Sequence, residues 1–149
     1  MDAPVEIRRM RAGDAEAVTR LSTELGYPDS VTAIGDRIAY ANNNPEHAAF
    51  VAVRDGEVLG WIHIFIMHLL ETPDFAEIGG LVVGRAARRT GVGAALVEAA
   101  ATWSHGMGVT ALHVRSNVIR ETAHAFYRAL GFRDLKSQLM LVRKLRPDP

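Results

Sequence analysis

Two runs of strand-forming residues, joined by the dipeptide Asp55-Gly56, limit the local structures that the centre of this chain can adopt. The runs Phe50 to Arg54 and Glu57 to Leu70 are rich in Val, Ile, Phe and Trp, which favour strands. Asp-Gly is preferred at two-residue hairpin turns because both positions require a positive φ angle. The sequence therefore predicts a β-hairpin. Its second run is shorter than the roughly 20 residues that span a bilayer, so we expect a buried strand there.

On the N-terminal side of the hairpin, the spacing of apolar residues predicts one strand and two helices. Val5 to Met10 is predicted to form a short strand, and Asp14 is expected to cap the helix that follows. Gly26-Tyr27-Pro28 ends the first helix, and the segment 42–45 ends the second. The apolar stripes, spaced three and four residues apart, are Ala17, Val18, Leu21 and Leu25 in the first helix and Val31, Ile34, Ile38 and Ala41 in the second.

Beyond the hairpin, strand and helix patterns alternate. Phe75 to Val83 is a predicted strand whose centre carries Gly79-Gly80, and this pair indicates a bulge or a close backbone approach. The next helix is expected to end with Gly106 as its C-cap. The remaining predicted elements are a strand over Val109 to Arg115, a helix over Arg120 to Leu130, and two closing strands over Phe132 to Leu145.

The predicted order of elements is β-α-α-β-β-β-α-β-α-β-β, without a repeat or a linker. Strands interspersed with helices in this way indicate a mixed sheet covered by helices. A length of 149 residues fits one domain of ordinary size. We therefore expect a single α/β domain over residues 1–149.

Composition excludes several classes of function. The chain has 17 Lys+Arg and 17 Asp+Glu, and this balance argues against general nucleic-acid binding and attachment to an anionic membrane. Without cysteine there is no disulfide, thiolate metal site or cysteine nucleophile. His63 and His68 would point to opposite faces of a regular strand, so no metal site is expected. The first residues show no apolar signal segment, which predicts a cytoplasmic protein.

The segment Arg88-Arg89-Thr90-Gly91-Val92-Gly93 lies between a predicted strand and a predicted helix. The first N–H groups of a helix lack intrahelical acceptors, and glycines let a ligand approach them. Arg85 adds a third cation beside Arg88 and Arg89. These features favour capture of a diphosphate, and an ordinary corner with solvated arginines is the alternative. Neither G-x-G-x-x-G nor G-x-x-x-x-G-K-[ST] occurs, which excludes two common nucleotide-binding loops.

Leu81-Val82-Val83 followed by Arg88 to Leu96 resembles the acetyl-CoA signature of the GNAT superfamily of N-acetyltransferases, whose core pattern is [Q/R]-x-x-G-x-[G/A]. A second block, Asn117 through Phe132, is similar to the later motif of that family. The resemblance implies an acetyl-CoA-dependent N-acetyltransferase that moves the acetyl group to a primary amine by direct attack on the thioester. It covers the donor half of the chain better than the acceptor half.

The resemblance also implies which residues hold the donor. The pantetheine arm would pair with the backbone at Leu81 and Val83, and the strand amides would polarise the acetyl oxygen. Asn117 would hydrogen-bond the arm, with a simple turn or N-cap role as its alternative. The implied cofactor-binding residues are Leu81, Val82, Val83, Arg88, Arg89, Thr90, Gly91, Val92, Gly93, Ala94, Asn117 and Tyr127.

Acetyl transfer to an amine needs a base for the amine and a proton donor for the departing thiolate. The resemblance assigns the donor to Tyr127, because a phenol of pKa about 10 can protonate a thiolate of pKa about 8.5; packing of its ring in the core is the alternative. Glu77 is the implied base, with a strand-end surface charge as its alternative. Strict alternation puts Glu77 on the same face as Leu81 and Val83, whereas a bulge would shift that register.

Several alternatives stay open. A non-catalytic acyl-CoA sensor or interaction domain on the same fold is the alternative function, and a larger acyl group is a third hypothesis. His63 and His113 either border the acceptor pocket or are ordinary buried histidines. A homodimer is also open, since dimers are common in the family. The acceptor is expected to contact residues 26–47 and the closing strands, where Tyr27, Asp29, Asp36 and Glu46 either recognise a cationic amine or are solvated loop residues.

Overall fold

The computed structural model describes residues 3–147, which divide into two compact units at the junction of Arg115 and Ser116. No helix in this part of the chain is both long and apolar enough to cross a membrane. The fold class is the predicted one. In chain order the elements are β1 (Glu6–Arg9), α1 (Ala15–Glu24), α2 (Val31–Asn42), β2 (His47–Arg54), β3 (Glu57–Met67), β4 (Phe75–Val83), α3 (Val92–Gly106), β5 (Leu112–Val114) and α4 (Glu121–Ala129).

The first unit is built on a mixed sheet with strand order β1-β2-β3-β4-β5. Neighbouring strands are antiparallel except for β4 and β5, which run parallel. Asp55 and Gly56 join β2 to β3 with φ angles of 50° and 77°. Both positions therefore have the positive φ that a two-residue turn requires, and the predicted hairpin is confirmed.

Helices cover both faces of this sheet. Val18 and Leu21 of α1 and Ile38 of α2 are buried against Val51 and Val82 on one face. α3 packs on the opposite face, where a Cβ placed on Gly60 of β3 would lie 3.3 Å from Leu96. Burial of each large aliphatic side chain contributes about 1.5–3 kcal/mol to folding. The predicted apolar stripes of α1 and α2 therefore form the packing between helices and sheet, except for Val31 of α2, which is 44% exposed.

Asp14 precedes α1 as predicted, but its carboxylate makes no capping bond to that helix. The residue is 5% exposed, and its two carboxylate oxygens accept hydrogen bonds of 2.8 and 2.9 Å from the guanidinium of Arg8. The Arg11 N–H donates a third bond at 2.9 Å. Two parallel charge-assisted bonds are stronger than one neutral capping bond. Asp14 therefore occupies the N-cap position of α1 as predicted, but its side chain ties β1 to the start of α1 instead of capping the helix.

Several boundaries in the first unit differ from the prediction. β1 is shorter by one residue at each end, β2 begins at His47 rather than Phe50, and β3 ends at Met67 rather than Leu70. α3 includes Gly106, its C-cap is Met107, and Gly108 takes the left-handed conformation with φ of 89°. The expected capping glycine is therefore two residues too early. β5 covers Leu112–Val114 rather than the predicted seven-residue segment 109–115, because pairing with β4 extends over three positions.

The second unit contains α4 and a C-terminal segment in which residues 132–147 form neither helix nor strand. The two closing strands predicted over Phe132 to Leu145 are thus corrected. Strand-forming residues adopt strands when neighbours pair and pack with them. In this segment the side chains are instead uncovered: Leu139, Met140, Leu141 and Val142 are 86–89% exposed. The predicted order of elements holds through α4.

Candidate functional site

β4 and β5 separate after a short stretch of pairing. β5 pairs with residues 76–78 of β4, whereas β4 continues to Val83 alongside β3. Within the sheet of the described chain, the other edge of residues 79–83 has no strand partner. Main-chain N–H and C=O groups along such an edge can bind an extended ligand in the way that they bind an added strand. The edge includes Leu81, Val82 and Val83 of the predicted donor-binding residues.

The chain passes from β4 to α3 through a 3-10 turn, Arg85–Ala87, and a strained corner. Arg89 and Gly91 have φ angles of 62° and 85°, and the left-handed region is costly for an arginine. Gly91 is the N-cap of α3 and offers no side chain to the helix, so the first N–H groups of α3 lack a side-chain partner. The Thr90 hydroxyl donates to the carbonyl of Ala87 instead. Such a corner can bind an anion.

The three arginines of this corner divide into two kinds. The backbone N–H of Arg85 donates to the Glu24 carboxylate at 2.6 Å, and its guanidinium donates to the Glu24 carbonyl at 3.2 Å. Arg85 therefore anchors the corner to the end of α1. Arg88 and Arg89 have exposed side chains and keep their charge beside the start of α3.

The predicted bulge decides which way the side chains of β4 face. The pairing of β3 with β4 shifts by one residue at Gly79, so that Glu77 lies opposite Phe65 and Leu81 lies opposite Ile62. Residues three apart on β3 point to opposite faces. Glu77 therefore lies on the face that α1 and α2 partly cover, and Leu81 lies on the α3 face. The shifted register, one of the two that the sequence left open, is the correct one.

The Glu77 carboxylate is held inside the first unit. The residue is 8% exposed, and Nε of Arg115 donates to Oε2 at 3.3 Å. Its neighbour on β5 is His113, whose ring stacks on Phe75 with the centroids 3.8 Å apart. Glu77 therefore lies at the point where β4 and β5 separate, and its role as a base stays a prediction.

Tyr127 belongs to the second unit, on α4. Its ring packs edge to face against Phe126 and Phe132, with centroid distances of 5.1 and 5.4 Å. Burial raises the pKa of its hydroxyl above the ordinary value of 10.0, and the charge of Arg120 opposes this in part. The phenol therefore stays protonated across the physiological range. The ring contacts correspond to the packing alternative, and a role as proton donor stays a prediction.

Asn117, also in the second unit, makes the contacts of a turn residue. Its Oδ1 accepts a hydrogen bond of 3.1 Å from the N–H of Ile119. Its carbonyl oxygen accepts from the N–H of Arg120 at 3.0 Å and lies 2.8 Å from Nε2 of His124. These bonds correspond to the turn alternative, and a role in cofactor binding stays a prediction.

A cluster of rings beside Glu77 was missed by the sequence reasoning, which considered only His63 in this region. Tyr40 meets His47 edge to face with the centroids 5.3 Å apart, and His47 and His63 share a hydrogen bond of 3.0 Å. Phe65 adjoins both histidines at 5.5 Å. We call Tyr40, His47, His63 and Phe65 the ring cluster. A regular two-residue hairpin would put His47 opposite Ile64, and the bulge between Ala52 and Val53 puts it opposite Phe65 instead. The sequence carried no signal for this shift.

Two acidic residues of the expected acceptor region, Asp29 and Glu46, form ion pairs with basic side chains. Asp29 pairs with Arg37 at 2.6 Å. Glu46 and Asp74 both bind His68, at 2.6 and 2.9 Å, and these bonds raise the pKa of the imidazole. Asp36 and Tyr27 are exposed. Residues 3–147 contain no group of three or more His, Cys, Asp or Glu that could hold a metal ion.

Comparisons with known proteins agree with this geometry. A curated aminoglycoside N(6')-acetyltransferase type 1 from Klebsiella aerogenes is 27% identical over 152 residues, which cover 97% of this chain and 99% of the relative. A solved aminoglycoside N-acetyltransferase in complex with CoA has a TM-score of 0.85 at 19% identity, over 97% of each chain. A transcriptional regulator from Bacillus halodurans C-125 has a TM-score of 0.83 at 22% identity, over 94% of this chain and all of the other. At such identities the structural likenesses show a shared fold.

The family match is more specific than the fold. Residues 15–132 match the Acetyltransferase (GNAT) family, and this range contains β4, the corner before α3, and α4. It covers more than half of the chain. The protein belongs to the GNAT acetyltransferase family and is an acetyl-CoA-dependent N-acetyltransferase that transfers an acetyl group to an amine.

Proposed function

We propose that this acetyltransferase modifies a primary amine of an aminoglycoside-type aminosugar. The observation that carries the proposal is Glu77, a carboxylate that is 8% exposed beside the open edge of β4. The carboxylate is paired with Nε of Arg115 at 3.2 Å, and a carboxylate beside a bound amine can accept its proton. The names of the curated relatives support the aminosugar, because the similarity extends over nearly the whole chain. Family membership favours turnover over the non-catalytic sensor.

The donor fits two features of the first unit. The unpaired edge at Leu81 to Val83 has main-chain groups suited to an amide-containing pantetheine arm. The N–H groups at Val92, Gly93 and Ala94 begin a helix without a side-chain cap, and they suit a pyrophosphate. Arg88, Arg89 and Thr90 complete the proposed donor-binding corner. Asn117 and Tyr127 are the proposed contributions of the second unit.

The proposed roles of the chain's own groups follow from charge and protonation. Glu77 accepts a proton from the bound ammonium, directly or through water, and leaves the lone pair free to attack the thioester carbonyl. N–H groups on the β4 edge stabilise the charge that develops on the carbonyl oxygen. Tyr127 donates its hydroxyl proton to the sulfur as the carbon–sulfur bond breaks, because burial keeps the phenol protonated. The second proton that the nitrogen loses as the amide forms returns through water to the phenolate.

Thiol release from acetyl-CoA, followed with kanamycin and a panel of other amines, tests the function. We expect kanamycin to be acetylated and Glu77→Gln to reduce kcat/KM by about 100-fold or more. Tyr127→Phe should reduce kcat by about tenfold or more, with the KM for acetyl-CoA changed less. Glu98→Gln, at an exposed position on α3, is the matched control and should leave both constants unchanged. Binding of CoA without acetylation of any amine would refute the proposal.

Three further expectations belong to the same proposal. Both compact units form one N-acetyltransferase domain over residues 1–149, which the family match across their junction supports. The chain forms a homodimer through its C-terminal segment, which the exposed side chains of residues 139–142 support. It acts in the cytoplasm, where acetyl-CoA is available.

A further inference from the structure

His47, His63 and Phe65 present three rings of similar orientation on one face of the sheet. The planes of His47 and His63 differ by 15°, and Nδ1 of His47 lies 3.0 Å from Nε2 of His63. Because a ring N–H lies in the plane of its ring, this bond places the two imidazoles edge to edge. Phe65 adjoins them with interplanar angles of 20° and 31°. Each of the three rings is only half-buried, and we call their exposed parts the ring surface.

Gly79 at the bulge of β4 lets two of these rings lie against the main chain. A Cβ at this position would be 2.8 Å from Nδ1 of His63 and 3.1 Å from Cε1 of Phe65. The first of these distances is shorter than real Cβ contacts, so any side chain there would displace the rings. Gly79 is itself exposed. Because Gly79 has no side chain, the rings of His63 and Phe65 can lie against the main chain of β4.

The ring surface adjoins carboxylates and contains an uncharged imidazole, which suits a cationic, hydroxylated ligand. Phe65 is the cross-strand partner of Glu77, so the ring surface adjoins the buried carboxylate. Burial and the neighbouring His47 lower the pKa of His63 to about 4, and the imidazole is uncharged at neutral pH. Glu46 precedes His47 in the chain, and its carboxylate is paired with His68 at 2.6 Å. Glu77 is paired with Arg115 at 3.2 Å. An uncharged His63 adds no positive charge that would repel a cationic ligand from the rings.

We propose that the rings of His47, His63 and Phe65 are the surface on which the saturated sugar ring of the acceptor packs, with its amine directed to Glu77. The inference rests on the proposed function and names the part of the acceptor that the chain recognises. The C–H groups on one face of a sugar are apolar and carry partial positive charge, and they pack favourably on the negative face of an aromatic ring. An acyclic polyamine would reach Glu77 without using this surface.

The test compares kanamycin with spermidine, a cationic amine that has no ring. Phe65→Leu keeps apolar volume and removes the flat ring, so we expect the KM for kanamycin to rise roughly tenfold while the KM for spermidine stays within about twofold. The separate variant Phe65→Tyr keeps a flat ring, and its KM for kanamycin should stay near that of the original protein. Phe50→Leu is the matched control, since Phe50 of β2 pairs with Ile62 on the opposite face.

Gly79→Ala provides a second variant if Phe65→Leu proves unstable in a thermal melt. Its added methyl group displaces His63 and Phe65 and should raise the KM for kanamycin selectively. Equal changes for kanamycin and spermidine, or no change for either, would overturn the inference while leaving the acetyltransferase activity intact. If neither amine is acetylated, the proposed acceptor is wrong. Calorimetric titration of kanamycin into the protein and into Phe65→Leu then decides, and equal affinity would overturn the inference.

Discussion

Single residues show where the sequence identifies a side chain but not its partner. Asp14 was expected to cap a helix because aspartate before a helix commonly does so. Its actual partner, Arg8, lies on a strand, and no local spacing predicts a contact between a strand and the turn after it. Glu77 was identified correctly as a residue of β4, but its face depended on the bulge. The ring cluster was missed because its members come from three elements.

The pair of Arg8 and Asp14 gives stability that depends on pH. The bonds from Arg8 lower the pKa of the Asp14 carboxyl below its ordinary value. The contribution is therefore complete above the unfolded pKa of about 3.9 and is lost as the pH falls through the lower folded value. We expect Asp14→Asn to reduce the free energy of unfolding by about 1–3 kcal/mol at pH 7, and by less below pH 4.

Urea titrations at pH 7 and pH 3 would measure this difference. Asp36→Asn is the matched control, because Asp36 is exposed on α2. Its free energy of unfolding should equal that of the original protein within about 0.5 kcal/mol. A loss of the same size at both pH values for Asp14→Asn would show that the charge of the carboxylate contributes nothing.

Elements were predictable where local chemistry fixes them. The Asp55-Gly56 turn and the stripes of α1 and α2 gave the correct strands and helices, because turn angles and helical periodicity depend on neighbours in sequence. The predictions for β5 and the closing segment were less accurate, because a strand depends on a partner that lies far away in sequence. Of the predicted seven-residue strand 109–115, only Leu112–Val114 pairs with β4.

The corner before α3 depends on the left-handed backbone conformation of Gly91. Gly91 has φ of 85° and space for a Cβ, so Gly91→Ala acts through backbone strain rather than collision. A left-handed alanine costs roughly 1–2 kcal/mol, and relief of that strain would turn the first N–H groups of α3 away from the proposed pyrophosphate. We expect the dissociation constant for CoA, measured by calorimetry, to rise roughly tenfold.

Gly106→Ala is the control for this substitution. Gly106 is the last residue of α3, has no positive φ, and also has space for a Cβ. We expect unchanged affinity for CoA and stability that is equal or up to about 1 kcal/mol higher, because alanine favours helix. Unchanged CoA affinity for Gly91→Ala itself would argue against the role proposed for this corner.

The C-terminal segment leaves several apolar side chains of the described chain exposed to solvent. Leu139, Met140, Leu141 and Val142 are all 86–89% exposed, so both sides of the segment face solvent. Contiguous apolar surface of this kind commonly marks an interface between proteins. A second copy of the chain could bury it by strand pairing, which would also supply the partner that strand-forming residues need.

Sedimentation of the full chain would test this association. We expect the original protein to be a dimer and the double substitution Leu139→Ser with Leu141→Ser to be mostly monomeric at micromolar concentration. Leu70→Ser is the control, because Leu70 is fully exposed in the loop between β3 and β4 and lies outside the segment. A monomeric original protein, or a dimer that survives the double substitution, would contradict the proposal.

The one-residue bulge at Gly79 separates the proposed donor site from the proposed acceptor site along β4. After the bulge, main-chain groups at the open edge bind the proposed donor. Before the bulge, side chains of β4 and of its neighbours β2 and β3 contact the proposed acceptor. Substitutions at His47, His63 or Phe65 alter the second without touching the first. New acceptor preferences can therefore arise by ordinary point mutation while the shared acetyl donor is retained.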